Sequence, residues 1–158
     1  MGQGWRLGSL MPMSSSSTGA GARPQFAGRG DDLGGLLETA DVVSIHCPLT
    51  PATRHLIDAA AFERMKPTAV LVNTARGAIV DERALVDALR AGSIAGAALD
   101  VYEHEPEVAG ELLELENVVL TPHLGSATRK TREEMGLLAV YALRTVLLEG
   151  NRPANAVD

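Results

Sequence analysis

Three strand-like segments of this chain each run straight into a side chain that can do chemistry. Ala69-Val70-Leu71-Val72 leads through Asn73-Thr74-Ala75 to Arg76. Ala97-Ala98-Leu99 ends in Asp100 and continues into Glu103 and Glu105, and Asn117-Val118-Val119-Leu120 leads through Thr121-Pro122 to His123. A guanidinium offers two parallel donors that match a carboxylate fork, which lysine cannot imitate. An imidazole, with a reference pKa near ~6.5, can give or take a proton at working pH. A carboxylate beside that ring stabilises its charged form. In an open α/β sheet, ligands collect outside the carboxyl ends of the strands, so cation, acid and imidazole stand where an active site would be built.

The elements that must hold these groups follow from the pattern after Asp31. Leu33 to Thr39 is expected to be a short helix, and Val42 to His46 a strand stopped by Cys47-Pro48. Asp58 can cap a helix through Met65, and Asp81 a second helix that leaves through Gly92 in the left-handed conformation. Residues 94–99 and 117–120 read as further strands. A long helix over 128–149 carries Met135, Leu138, Ala139, Ala142 and Val146 at helical spacing, with Thr131-Arg132-Glu133-Glu134 as its expected capping box and Gly150 at its end. Apolar strands alternating with helices specify an α/β fold with a parallel sheet covered on both faces. Three or four strands are expected, about half of a doubly wound domain.

Composition narrows the function classes. The chain has 158 residues, 46% hydrophobic and 22% charged, the profile of one globular domain. A net charge of −6 argues against nucleic acid, which requires a basic face. No apolar run approaches the roughly 20 residues of a membrane span. The single cysteine, Cys47, fits a reducing cytoplasm, and cytoplasmic localisation is expected. Residues 1–30 are rich in glycine and include Ser14-Ser15-Ser16-Ser17 with no helix or strand period, so they are expected to be irregular and disordered.

From about Asp31 to Val157 the chain resembles the C-terminal portion of the D-isomer-specific 2-hydroxyacid dehydrogenases, on the glyoxylate and hydroxypyruvate reductase side of that family. The carrying residues are Ile45-His46-Cys47-Pro48-Leu49-Thr50, Asn73-Thr74-Ala75-Arg76-Gly77, Ala98-Leu99-Asp100-Val101-Tyr102-Glu103-His104-Glu105-Pro106 and Thr121-Pro122-His123-Leu124-Gly125-Ser126-Ala127. The first 30 residues resemble no part of the family. The resemblance implies the second half of a Rossmann-like NAD-binding domain over 31–127, then a long helix and tail over 128–158 returning towards a substrate domain. It implies an oxidoreductase acting on CH–OH groups with NAD or NADP. Arg76 would grip the substrate carboxylate, His123 would be the catalytic acid, and Glu105 would pair with it. Cofactor contacts would come from Cys47, Thr53, Thr74, Ala75, Arg76, Asp100, His123, Gly125 and Ser126. The implied partners are a small 2-oxo or 2-hydroxy acid and a second copy in a homodimer, with no metal, nucleic acid or membrane.

Bland roles compete at each position. Glu103 and Glu105 are both acids in one loop, and only the resemblance selects Glu105; Asp100 could simply cap the turn after its strand. His46, His55 and His104 read as structural or exposed, and Cys47 as a small buried filler. The family's Gly-x-Gly-x-x-Gly turn is missing: Gly2-Gln3-Gly4 has Leu7 at the third position, and Gly19-Ala20-Gly21 leads into Arg23-Pro24. N-terminal truncation is therefore expected, with weak NAD binding and little or no turnover by the chain alone. The competing expectation is an inactive remnant or interaction module that retains half of the fold.

Overall fold

A computed structural model describes residues 7–11, 25–27 and 32–156. The chain forms two compact units, Met1–Pro122 and His123–Asp158.

The first unit is built on a six-stranded sheet of order β2-β1-β3-β4-β5-β6. The strands are β1 (Leu7–Met11), β2 (Gln25–Ala27), β3 (Val42–Ile45), β4 (Val70–Asn73), β5 (Gly96–Leu99) and β6 (Val118–Leu120). All neighbours are parallel except β1 and β2. Of the three or four strands expected after Asp31, four are present, β3 to β6. The irregular segment expected over 1–30 differs at two places, because β1 and β2 lie within it. β1 pairs along the whole of β3, whose backbone groups would otherwise form an open edge. Both glycine clusters considered as phosphate turns, Gly2–Gly4 and Gly19–Gly21, lie outside the described residues.

Helices α1 (Leu33–Thr39), α2 (Ala59–Arg64) and α3 (Glu82–Ala91) cross between these strands, and the short α4 (Gly110–Leu113) precedes β6. An aspartate begins each of the first three. Asp32 accepts from the Gly35 amide, Asp58 from Ala61 and Asp81 from Ala84, each satisfying an N–H that the helix itself leaves without a partner. Gly92, at φ 68, turns the chain out of α3. The core is one cluster in which Val43, Ile45 and Leu71 of the sheet meet Leu37, Phe62, Leu85 and Leu89 of the helices. Val42, Ser44, Val70 and Val72, pointing to the opposite face of the sheet, are only half buried.

The second unit contains α5 (Arg129–Leu147). Its cap is Thr128 and not the expected Thr131. The Thr128 backbone is extended, and its hydroxyl accepts from the Thr131 amide at 3.1 Å, so Thr131 already lies in the first turn. Thr145 is the one buried residue of this helix, while Leu137, Leu138, Val140, Tyr141, Leu143 and Leu147 are exposed. Among the described residues no helix is long and apolar enough to cross a membrane.

Candidate active site

The loops that follow β3, β4 and β5 leave the carboxyl ends of parallel strands, the rim on which ligands bind in such sheets. Buried Asn73 closes β4 and shapes what comes next. Its side-chain oxygen accepts from the Ala75 amide at 3.1 Å, and its amide nitrogen donates to the Arg76 carbonyl at 2.9 Å. The resulting tight turn presents Thr74 and Arg76 to solvent, with Ala75 half buried. Arg76 Nη1 donates to the Ala75 carbonyl at 2.7 Å, and among the described residues no carboxylate pairs with the guanidinium.

Gly77 joins this turn to the loop after β5. A Cβ at Gly77 would stand 1.9 Å from the Tyr102 carbonyl carbon and 2.0 Å from its oxygen, so only glycine permits the approach. Tyr102 is in turn the anchor of its own loop. Its amide donates to Glu105 Oε1 at 3.0 Å and its hydroxyl to the Thr121 carbonyl at 2.8 Å. Burial, together with the carboxylates of Asp100 and Glu82, pushes the Tyr102 phenol up, so it remains a neutral donor. Asp100 is buried, receives the Thr121 hydroxyl at 2.5 Å, and donates its backbone N–H to Asn73. One chain of contacts therefore links Arg76, Glu105 and Asp100 across successive loops.

The two acids of the β5 loop have different environments. Glu105 is exposed and holds the Tyr102 amide. Glu103 is engaged by Arg54 at 3.0 Å and by His55 at 2.6 Å. The fully buried Ile57 and the adjoining loop rest on the turn after β4, through His55 to the Ala78 carbonyl and Ile57 to Ile79. Thr53 is buried, and its hydroxyl bonds Pro48 and Thr50 within its own loop; it can offer a cofactor the shape of that loop. Cys47 is buried and burial pushes its thiol up, consistent with an inert filler. His46 bonds Ser44, and His104 is exposed.

His123 opens the second unit with a left-handed backbone, φ 53. It is exposed, as are Leu124 and Gly125, while Ser126 is half buried, and the Ala127 amide closes the turn onto the Leu124 carbonyl. Sequence reasoning did not single out Asn73, Gly77, Tyr102 or Thr121. An asparagine at a strand end is a recognised turn former and was legible. The need for Gly77 comes only from a neighbour 25 residues away, Tyr102.

This donor set suits the nicotinamide end of a dinucleotide: peptide groups at a turn, the small Ala75, and a buried carboxylate, Asp100, that can accept from an amide. Among the described residues no cluster of side chains could hold a metal ion.

Comparison with known proteins identifies the family. Residues 13–125 match the sequence model of the D-isomer specific 2-hydroxyacid dehydrogenase NAD-binding domain, so the likeness begins within the segment read as resembling no part of the family. A glyoxylate reductase of Thermococcus litoralis is 48% identical over 127 residues, covering 80% of this chain and 38% of that protein. A solved protein of Thermus thermophilus is 53% identical with a TM-score of 0.75, covering 80% of this chain and 40% of its own. The NADPH-dependent glyoxylate/hydroxypyruvate reductase of Sinorhizobium meliloti, solved with NADP and malonate, is 37% identical with a TM-score of 0.75, covering 89% and 43%. The chain thus spans about two fifths of the length of these relatives. It belongs to the D-isomer-specific 2-hydroxyacid dehydrogenases, as part of their NAD-binding domain.

Proposed function

We propose that this chain carries the nicotinamide-side half of a D-2-hydroxyacid dehydrogenase site that reduces a small 2-oxo acid, glyoxylate or hydroxypyruvate, with NADH or NADPH in the cytoplasm. Arg76 binds the substrate carboxylate through its paired donors and draws electron density from the neighbouring carbonyl. His123, as imidazolium, hands a proton to the carbonyl oxygen as charge collects there. Glu105 pairs with that imidazolium and orients the ring. The bound reduced nicotinamide supplies the hydride. Thr74, Ala75 and Asp100 orient the ring from the β4 and β5 loops, with Cys47 and Thr53 shaping the floor and Gly125 and Ser126 following the histidine.

The observation that carries this reading is the Gly77–Tyr102 contact, which holds the turn bearing Arg76 against the loop in which Glu105 takes the Tyr102 amide. The test is NADH oxidation with glyoxylate or hydroxypyruvate, beside an Arg76→Ala variant. A slow rate that the substitution cuts by about 100-fold supports the reading; an equal rate in both proteins removes it. A second reading, an associating module without turnover, draws on the exposed apolar side chains of α5. It predicts a homodimer by size-exclusion chromatography together with no NADH oxidation.

A further inference from the structure

Glu103, left aside by the chemistry above, sits where three loops converge. Its carboxylate receives Arg54 Nη2 at 3.0 Å and His55 Nε2 at 2.6 Å, both from the loop that carries Thr53. Its backbone N–H is taken by Oε1 of Glu82, the buried first residue of α3. That same nitrogen lies 2.4 Å from the place a Cβ on Gly77 would occupy, beside the turn that presents Arg76. Two residues further along its own loop is Glu105.

The partners are arranged to make this link specific. The Glu103 side chain is only 10% exposed, against 55% for Arg54, so the acid is the sheltered centre and the cation its lid. His55 holds its ring on Glu103 from a left-handed backbone, φ 50, a conformation unfavourable for a residue with a Cβ and retained only where the surroundings impose it. Its own amide is fixed to the Ala78 carbonyl at 2.9 Å. The other charged groups facing the knot are Asp81, whose carboxylate lies 4.0 Å from His55 Nδ1, and Glu82, His104 and Glu105. The Arg54 and His55 bonds to the Glu103 carboxylate join the loop after β3 to the loop after β5.

We infer that Glu103 is a positioning residue: by holding Arg54 and His55 it locks the Thr53 loop and the Glu105 loop into one piece, so that cofactor grip and the acid behind the catalytic histidine are set together. The inference rests on the proposed function for its consequence, but the coupling of the two loops is measurable without turnover.

The experiment compares Glu103→Ala, Glu103→Gln and His55→Asn with the unaltered chain. Asparagine tolerates the left-handed backbone, but its amide extends only to about the place of the ring's Nδ1 and so gives up the bond that Nε2 makes to Glu103. Amide hydrogen exchange is read at Thr53, whose N–H is bonded to the Thr50 carbonyl, and at Tyr102, bonded to Glu105, with Leu71 as a core reporter. NADH affinity is read by calorimetry. Glu103→Ala should speed exchange at Thr53 and Tyr102 together by roughly tenfold, leave Leu71 unchanged and raise the NADH Kd roughly tenfold, the size expected when a positioned group is loosened. Glu103→Gln, which keeps an acceptor for Arg54 and His55, should recover most of both effects, whereas His55→Asn should loosen Thr53 and Tyr102 together, and a His55→Asn variant indistinguishable from the unaltered chain counts against the inference.

Equal acceleration at Leu71 would make Glu103 a general structural residue and overturn the inference. So would unchanged exchange at Thr53 and Tyr102, or a glutamine variant as impaired as the alanine one. If NADH does not bind the unaltered chain, the proposed function fails while exchange still decides the coupling. If it binds and Glu103→Ala leaves the Kd unchanged, the inference fails and the function stands.

Discussion

Replacing Gly77 with alanine isolates the contact on which the site depends. The added Cβ would meet the Tyr102 carbonyl at 1.9–2.0 Å and the Glu103 nitrogen at 2.4 Å, whereas real Cβ atoms essentially never come within 3.0 Å of such atoms. The obstacle is backbone, so no side-chain rotation relieves it. One loop must move by about 1 Å, and overpacking of this kind costs typically 1–3 kcal/mol. Because both sides of the contact are held by hydrogen bonds, Asn73 to Arg76 and Tyr102 to Glu105 and Thr121, about 3 kcal/mol is the better figure. With a urea slope of roughly 2 kcal/mol/M for a chain of this size, the midpoint should fall by about 1–2 M. Tyr102 amide exchange should accelerate in the same variant, since its bond to Glu105 starts one peptide before the displaced Tyr102–Glu103 peptide. An unchanged midpoint with unchanged Tyr102 protection would refute the claim that the Arg76 turn and the Glu105 loop are locked through this glycine.

Two other perturbations have a defined sign. Burial, reinforced by the Glu103 and Glu105 carboxylates and opposed by the Glu103 amide and His104, raises the Glu82 carboxyl above its ordinary value. Its contribution to stability is therefore full below the unfolded value and declines as pH rises through the folded one. Glu82→Gln keeps an acceptor for the Glu103 amide without the charge, so its thermal midpoint should gain on the unaltered chain as pH rises above the ordinary glutamate range; a constant difference as pH rises contradicts the burial argument. Gly136, inside α5, has nothing within 4 Å of the position an added methyl would take, so Gly136→Ala should add up to about 1 kcal/mol of helix stability, read as slower amide exchange along α5.

The sequence disclosed the regular parts of this fold because each had a local signal. Asp58 and Asp81 preceded apolar periodicity and are caps, and Gly92 ends α3 in the left-handed region. Competition between adjacent signals was harder to read. Thr128 and Thr131 both offered a hydroxyl near the start of α5, and the extended backbone at Thr128 decided it. β1 and β2 had no strand pattern of their own; β1 is paired by the edge of β3, a partner distant in sequence, and β2 in turn by β1. At the site, Arg76, Asp100 and Glu105 were visible from strand-end position and motif. The links among them were not, because Gly77, Tyr102 and Thr121 act through contacts between segments far apart in sequence. Glu103 and Glu105 illustrate the same limit: two acids in one loop are equivalent as letters, and only Arg54, His55 and the Tyr102 amide distinguish them.

The central claim is that Arg76, Glu105 and His123 serve one substrate. It is tested most directly by a crystal structure of the chain with NADH and malonate, a dicarboxylate that offers no carbonyl to reduce. The account predicts one malonate carboxylate on the Arg76 fork, with the His123 imidazole facing the same ligand and Glu105 bonded to the far side of that ring. Malonate bound away from Arg76, or a His123 ring turned from both the ligand and Glu105, would contradict it.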